Sequence, residues 1–298
     1  MRFNPPSQGF ASSVVFFSAA FWGLYWIPLR YLEGQGIDGG WAVALLNLPA
    51  GVALLPLVLL AWGRHRAHMG QALAIGILTG LGLALYASGL IYSSVVRATL
   101  LFYLTPVWAT LIGLFWLGER ASWQRWAAIG VGLGGLLLLV SGGGSVPINV
   151  GDLFALLSGV FWALGAAMIK RYDQVPLAGM TMFQFLITGL AAVILIQATG
   201  IAEVPALDLL TAALPAAGLI SLLAFLPAVA LLFWAQKFLF PGRVGLLMMS
   251  EVLTAVLTAS LFLPEERLSA VEWAGAALIV GACLIEVFLI PQTCSEVA

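Results

Sequence analysis

Ser18-Ala-Ala-Phe-Trp-Gly-Leu-Tyr-Trp-Ile-Pro-Leu-Arg30 and Ser158-Gly-Val-Phe-Trp-Ala-Leu-Gly-Ala-Ala-Met-Ile-Lys170 decide how this chain folds. Each lies in an apolar run long enough to cross a bilayer, each ends in a base, and the Phe-Trp pairs align at an offset of 140, from Trp22 to Trp162. Further matches follow in order. Arg97 pairs with Arg243 at 146, Glu119-Arg120-Ala-Ser122 pairs with Glu266-Arg267-Leu-Ser269 at 147, and Trp126 then falls on Trp273. Any one match could arise by chance, but an ordered series at nearly constant offset marks a duplicated unit. The chain therefore divides into residues 1–145 and 146–298, one copy in each.

The solvent of this unit is lipid. Of 298 residues, 62% are hydrophobic and 8% charged, with a mean hydropathy of +1.07. Soluble domains are about 45–50% apolar and about 25% charged. Apolar stretches of the length needed to cross a hydrocarbon core of about 30 Å recur along the chain. They are too long and continuous for barrel strands, and backbone groups in lipid must be satisfied internally. The expectation is an all-α membrane protein with ten transmembrane helices, near 12–32, 41–62, 69–92, 97–117, 123–141, 150–170, 178–200, 209–234, 242–263 and 270–290. Net charge is −1, which gives no footprint for nucleic acid. Cys283 and Cys294 make neither a disulfide framework nor a metal site, and no cofactor is called for.

Five crossings per copy is an odd number, so the second copy enters the membrane from the opposite side. With the N-terminus inside, nine of the twelve basic residues fall on the cytosolic side and three (Arg30, Arg97 and Arg267) outside. Both termini are thus expected in the cytosol. Inverted repeats are the architecture of many secondary carriers, whose substrate site lies near mid-membrane between the halves. Exchange of conformation between the halves gives alternating access. Ten helices enclose a cavity without a second chain, so a monomer suffices.

Pro106 followed by Leu117-Gly118-Glu119-Arg120, a Gly-rich helix from Ala127, and the echo Glu251, Pro264-Glu265-Glu266-Arg267 and Trp273-Ala-Gly-Ala resemble the drug/metabolite transporter superfamily, EamA type. The resemblance covers roughly residues 12 to 290 and departs from the family's frequent Glu-Pro pair in the ninth helix, since Val252 follows Glu251. The Trp- and Tyr-rich interior is most similar to bacterial amino-acid exporters of the YddG kind. That implies a multi-pass protein of the bacterial inner membrane exporting aromatic or other apolar amino acids. A drug or multi-metabolite efflux carrier of the same superfamily is the alternative.

Seven residues are candidate substrate ligands: Trp22, Asn47, Tyr86, Tyr103, Trp162, Ser250 and Glu251. A carboxyl at the middle of a span costs roughly 2.5 kcal/mol or more to insert. Glu251 is thus either a proton-coupling group, a partner for a substrate ammonium, or a protonated bridge to a neighbouring helix. The four rings suit an apolar or aromatic side chain, their polar edges serving its polar end. Packing against lipid or other helices is the competing role for each ring, and hydrogen bonding between helices the competing role for Asn47 and Ser250. Arg97 and Arg243, at equivalent helix starts, either attract a carboxylate or snorkel.

The run Gly130-Val-Gly132-Leu-Gly134-Gly135 is no dinucleotide loop, since no strand precedes it. Gly130 and Gly134, with their mates Ala277 and Gly281, are expected to form a contact between the fifth and tenth helices. An intramembrane enzyme is disfavoured by the absence of H-E-x-x-H and G-x-S-x-G. No Walker-type loop supplies ATP hydrolysis, and no base lies in mid-membrane to hold a phosphorylated substrate. A neutral or zwitterionic, amino-acid-like substrate fits best.

Overall fold

A computed structural model describes residues 6–37, 39–93, 95–139, 149–199, 203–262 and 269–289, which form helices and short connections without strands. Ten helical passes follow one another: α1 (Gln8–Trp22 and Trp26–Gly34), α2 (Gly39–Leu60), α3 (Met69–Tyr92), α4 (Val95–Phe102 and Thr105–Leu117), α5 (Trp123–Leu139), α6 (Val150–Arg171), α7 (Leu177–Thr199), α8 (Leu207–Gln236), α9 (Pro241–Phe262) and α10 (Ala270–Phe288). Eight are long and apolar enough to cross a bilayer unaided. The other two are α4, which is broken at Tyr103–Leu104, and α5, which is 17 residues long. Capping boxes fix the starts of α6, through Asn149 and Asp152, and of α10, through Ser269 and Glu272. The motif Pro264–Arg267 lies outside the described residues.

Mate helices run antiparallel, the signature of an inverted repeat. Gly51 of α2 packs on Leu186 of α7, while Gly189 of α7 packs on Leu48 of α2. Numbering rises along one helix as it falls along the other. The same holds where Gly242 and Gly245 of α9 meet Thr110 and Pro106 of α4, and where Gly132 and Gly135 of α5 meet Ala282 and Ile279 of α10. Much of the remaining packing comes in exchangeable pairs: α3 on α6 with α8 on α1, α4 on α6 with α9 on α1, and α3 on α7 with α8 on α2. Large apolar side chains such as Leu60, Phe115 and Leu261 point outward, at 87%, 88% and 80% exposure. This inside-out pattern is what lipid demands.

The expected contact between α5 and α10 forms, but in a different register. Gly130 and Ala277 are exposed, and a side-chain carbon added at Gly130, Gly134 or Gly281 would meet nothing within 4 Å. The helices meet instead through Gly132 and Gly135, the latter close to the Gly275 carbonyl. Two residues along a helix turn the face by about 200°, so one Gly-rich run carries both a lipid face and a contact face.

Three passes break near mid-depth, and proline explains two of the breaks. Pro28 has no N–H for the Leu24 carbonyl, and α1 interrupts at Gly23–Tyr25. Pro106 likewise leaves the Phe102 carbonyl without its helical donor, and the Thr105 hydroxyl donates to it instead. In α9 the break falls at Met249, the mate of Tyr103, with no proline to account for it. Discontinuous helices at mid-membrane are the usual setting for carrier substrate sites.

Candidate functional site

The breaks surround a chamber. Its deep part lies between Ser18 and Trp22 of α1, Tyr86 of α3, Trp162 of α6, Leu232 of α8 and Met248 of α9. It continues, with a volume of about 150 Å³, towards the membrane face away from the termini, past Tyr25, Leu29, Asn47, Leu90, Thr188 and Ala255. Trp22, Tyr86 and Glu251 border both parts.

Five of the seven candidates line this space. The Trp22 ring stacks on Tyr25, with centroids 4.8 Å apart and planes within 13°. Trp162 donates its indole N–H to the Met248 sulfur at 3.2 Å and packs near Phe233. Tyr86 stacks on Phe102 at 4.4 Å. Asn47 donates its amide to the Val43 carbonyl at 2.8 Å and to the Tyr25 hydroxyl at 3.1 Å. Glu251, in the first turn after the α9 break, faces Tyr86 and Tyr103. Gly23 makes its position possible: a side chain there would lie 2.4 Å from the Glu251 carbonyl, so α1 crosses α9 at close range.

The other two candidates stand behind the wall. Tyr103 is buried beside Phe102, its hydroxyl toward Glu251. Ser250 is 1% exposed and donates to the Phe16 carbonyl at 2.8 Å, tying α9 to α1. Tyr25, Trp26 and Leu29, which sequence reasoning passed over, line the chamber at three, four and seven residues from Trp22. That helical spacing was legible once Trp22 had been singled out.

Below the chamber, the face where α1 starts and α10 ends is closed. α4 and α9 cross there through Pro106 and Gly245, whereas among the described residues Val95–Phe102 and Ser250–Phe262 are not closely packed. Arg243 does not snorkel: it is 3% exposed and donates to the Ser12 hydroxyl at 2.9 Å and the Val287 carbonyl at 3.4 Å, joining α9 to α1 and α10. The Arg97 side chain lies outside the described residues. Lys237 donates to the carbonyls of Asp173 and Val175 at 2.7 and 2.6 Å, and burial pushes its ammonium below the usual lysine range. The α6–α7 and α8–α9 connections are thereby held together.

A buried ion cluster completes this closure. Gly118, at φ +66°, caps α4 in the left-handed conformation, and the Glu119 N–H returns to the Gly113 carbonyl at 2.9 Å. Glu119 is thereby turned inward onto Arg125, which also grips Glu286 of α10 through two bonds of 2.9 and 3.3 Å. Arg125 and Glu119 are 2% exposed at their side chains, and Glu286 is 0%. Burial pushes the Glu119 carboxyl up to about 7, even though Arg125 pulls the other way.

A repeat of antiparallel five-helix units around a mid-membrane chamber has a counterpart among known families. The EamA-like transporter family model matches residues 9–141 and again 149–288. The chain belongs to the EamA-like transporter family. In fold the chain is also similar to a solved structure titled only "Crystal structure of protein", with TM-score 0.72 and 20% identity over 95% of this chain and 100% of that one. No curated protein matches the sequence. Transport across a membrane is the general activity that EamA membership gives.

Proposed function

We propose that this transporter is a secondary carrier that exports amino acids with aromatic or other apolar side chains across the bacterial inner membrane, with both termini in the cytoplasm. The observation that carries this reading is the chamber lining. Trp22, Tyr25, Tyr86 and Trp162 line it together with a single carboxyl group, Glu251, and the described lining contains no Lys or Arg. Such a surface suits a small molecule with an apolar body and little net negative charge. Closure at one face and space toward the other correspond to one half of an alternating-access cycle. Antiparallel mates supply the other half, because exchanging the conformations of the two repeats exchanges the closed face for the open one.

Counterflow in proteoliposomes tests this. Vesicles loaded with unlabelled L-phenylalanine or L-leucine are expected to accumulate the labelled amino acid transiently and saturably, whereas empty vesicles do not. Ohmic current without saturation would replace the carrier by a pore. The absence of counterflow across a panel of amino acids, with retention of other small metabolites, would favour the multi-metabolite alternative.

A further inference from the structure

Asn47 is 1% exposed, yet its side-chain oxygen has no hydrogen-bond partner. The orientation of the amide is fixed chemically. Its nitrogen donates to the Val43 carbonyl, which can only accept, so the nitrogen and not the oxygen must face Val43. The oxygen is left as an acceptor on a residue that lines the chamber. Leaving such a group unpaired is unfavourable, because its bond to water is lost and not replaced. A donor that enters the chamber beside Asn47 would supply the missing bond.

Two other features of the same chamber specify what kind of donor. Glu251 is the one carboxylate in the described lining and has no lysine or arginine beside it there. Trp22, Tyr25 and Tyr86 line the same space, and an aromatic ring attracts a cation that lies over its face within about 6 Å of its centre. An unpaired acceptor, an acid and a group of rings all favour a positively charged N–H donor. None of them favours an anion.

We propose that the chamber recognises a primary ammonium group, with Asn47 as hydrogen-bond acceptor, Glu251 as countercharge and Trp22, Tyr25 and Tyr86 as a cage. This rests on the transport reading above and deepens it: the amine is the determinant and the carboxylate of an amino acid is dispensable. Primary amines with an apolar body are therefore ligands in their own right. A quaternary ammonium would satisfy the rings but bring no hydrogen for Asn47, so it binds more weakly.

The test is binding to the purified full-length chain in lipid nanodiscs, followed by quenching of tryptophan fluorescence. Four probes share one ring: L-phenylalanine, phenethylamine, 3-phenylpropionate and N,N,N-trimethylphenethylammonium. Phenethylamine is expected to bind within about threefold of L-phenylalanine, and 3-phenylpropionate at least tenfold more weakly than either. The trimethylated probe is also expected to be at least tenfold weaker than phenethylamine. Asn47→Leu should remove the preference of the primary over the quaternary amine, a ratio insensitive to how much protein folds. Equal binding of the acid and the amine overturns the proposal but leaves the carrier reading intact, as does equal binding of primary and quaternary amines. Binding of phenethylamine without L-phenylalanine upholds the proposal and overturns amino-acid transport. Binding of none of the four overturns both.

Discussion

Replacing Arg125 by methionine is expected to destabilise the protein by about 3–5 kcal/mol, because removing one partner of a buried ion cluster leaves charge without compensation. Here two carboxylates, Glu119 and Glu286, lose their shared guanidinium, and the side chains are at most 2% exposed. The cluster joins the α4–α5 turn to α5 and α10, so the loss falls on the closed face as a whole. Thermal unfolding in detergent measures it. Adding Glu119→Gln to Arg125→Met should recover a large part of the deficit, since the double substitution leaves Glu286 as counterion to the buried Arg243 and removes the uncompensated charge. The deficit should also shrink as pH falls, because protonating the stranded carboxylates neutralises them. Burial pushes Glu119 up to about 7 even with Arg125 pulling it down, so without Arg125 the recovery begins at or above neutrality and not at pH 4. An unchanged melting temperature in Arg125→Met would show that the cluster contributes little.

Glu251→Gln is expected to lower the rate of substrate exchange at least tenfold with little change in melting temperature. The substitution keeps the shape of the side chain and its hydrogen-bonding capacity beside Tyr103. What it removes is the one carboxylate among the described residues lining the chamber. A tenfold loss corresponds to about 1.4 kcal/mol, modest for a charge interaction out of water. Transport in vesicles with an imposed pH gradient measures both rate and pH dependence, and the variant should lose most of the latter. Unchanged rate and unchanged pH dependence would remove Glu251 from the mechanism and leave it as a bridge between α9 and its neighbours.

The fold was legible because lipid makes few demands and makes them strictly. Apolar length gave the passes, and the Phe-Trp pairs at Trp22 and Trp162 gave the repeat, which the antiparallel contacts of Gly51 and Gly189 bear out. Finer features depended on side-chain direction, which spacing alone does not settle. Gly130 and Gly132 differ by two residues and face lipid and α10, respectively. The breaks in α1 and α4 were written in Pro28 and Pro106, but proline is tolerated in many membrane helices, so neither marked a break by itself. The break at Met249 has no local signal at all. At the site, Trp22, Trp162, Tyr86, Asn47 and Glu251 converge on the chamber, whereas Tyr103 and Ser250 sit behind it. Ser250 and Glu251 are adjacent in sequence, and about 100° of helical rotation separates their directions. The ion cluster eluded the sequence because Glu286 and Arg125 are 161 residues apart and meet only once α10 has folded back onto α5.

An inverted repeat puts the two five-helix units in the membrane in opposite directions, so equivalent turns emerge on opposite sides. Gln35, between α1 and α2, and Gln174, between α6 and α7, are exposed and occupy equivalent turns of the two units. In a background with Cys283 and Cys294 replaced, single cysteines at these positions can be labelled in intact cells with a membrane-impermeant maleimide. Labelling of Gln35→Cys in intact cells, with Gln174→Cys labelled only after the membrane is opened, is the predicted result. Labelling of both positions from the same side would contradict the inverted arrangement and everything built on it.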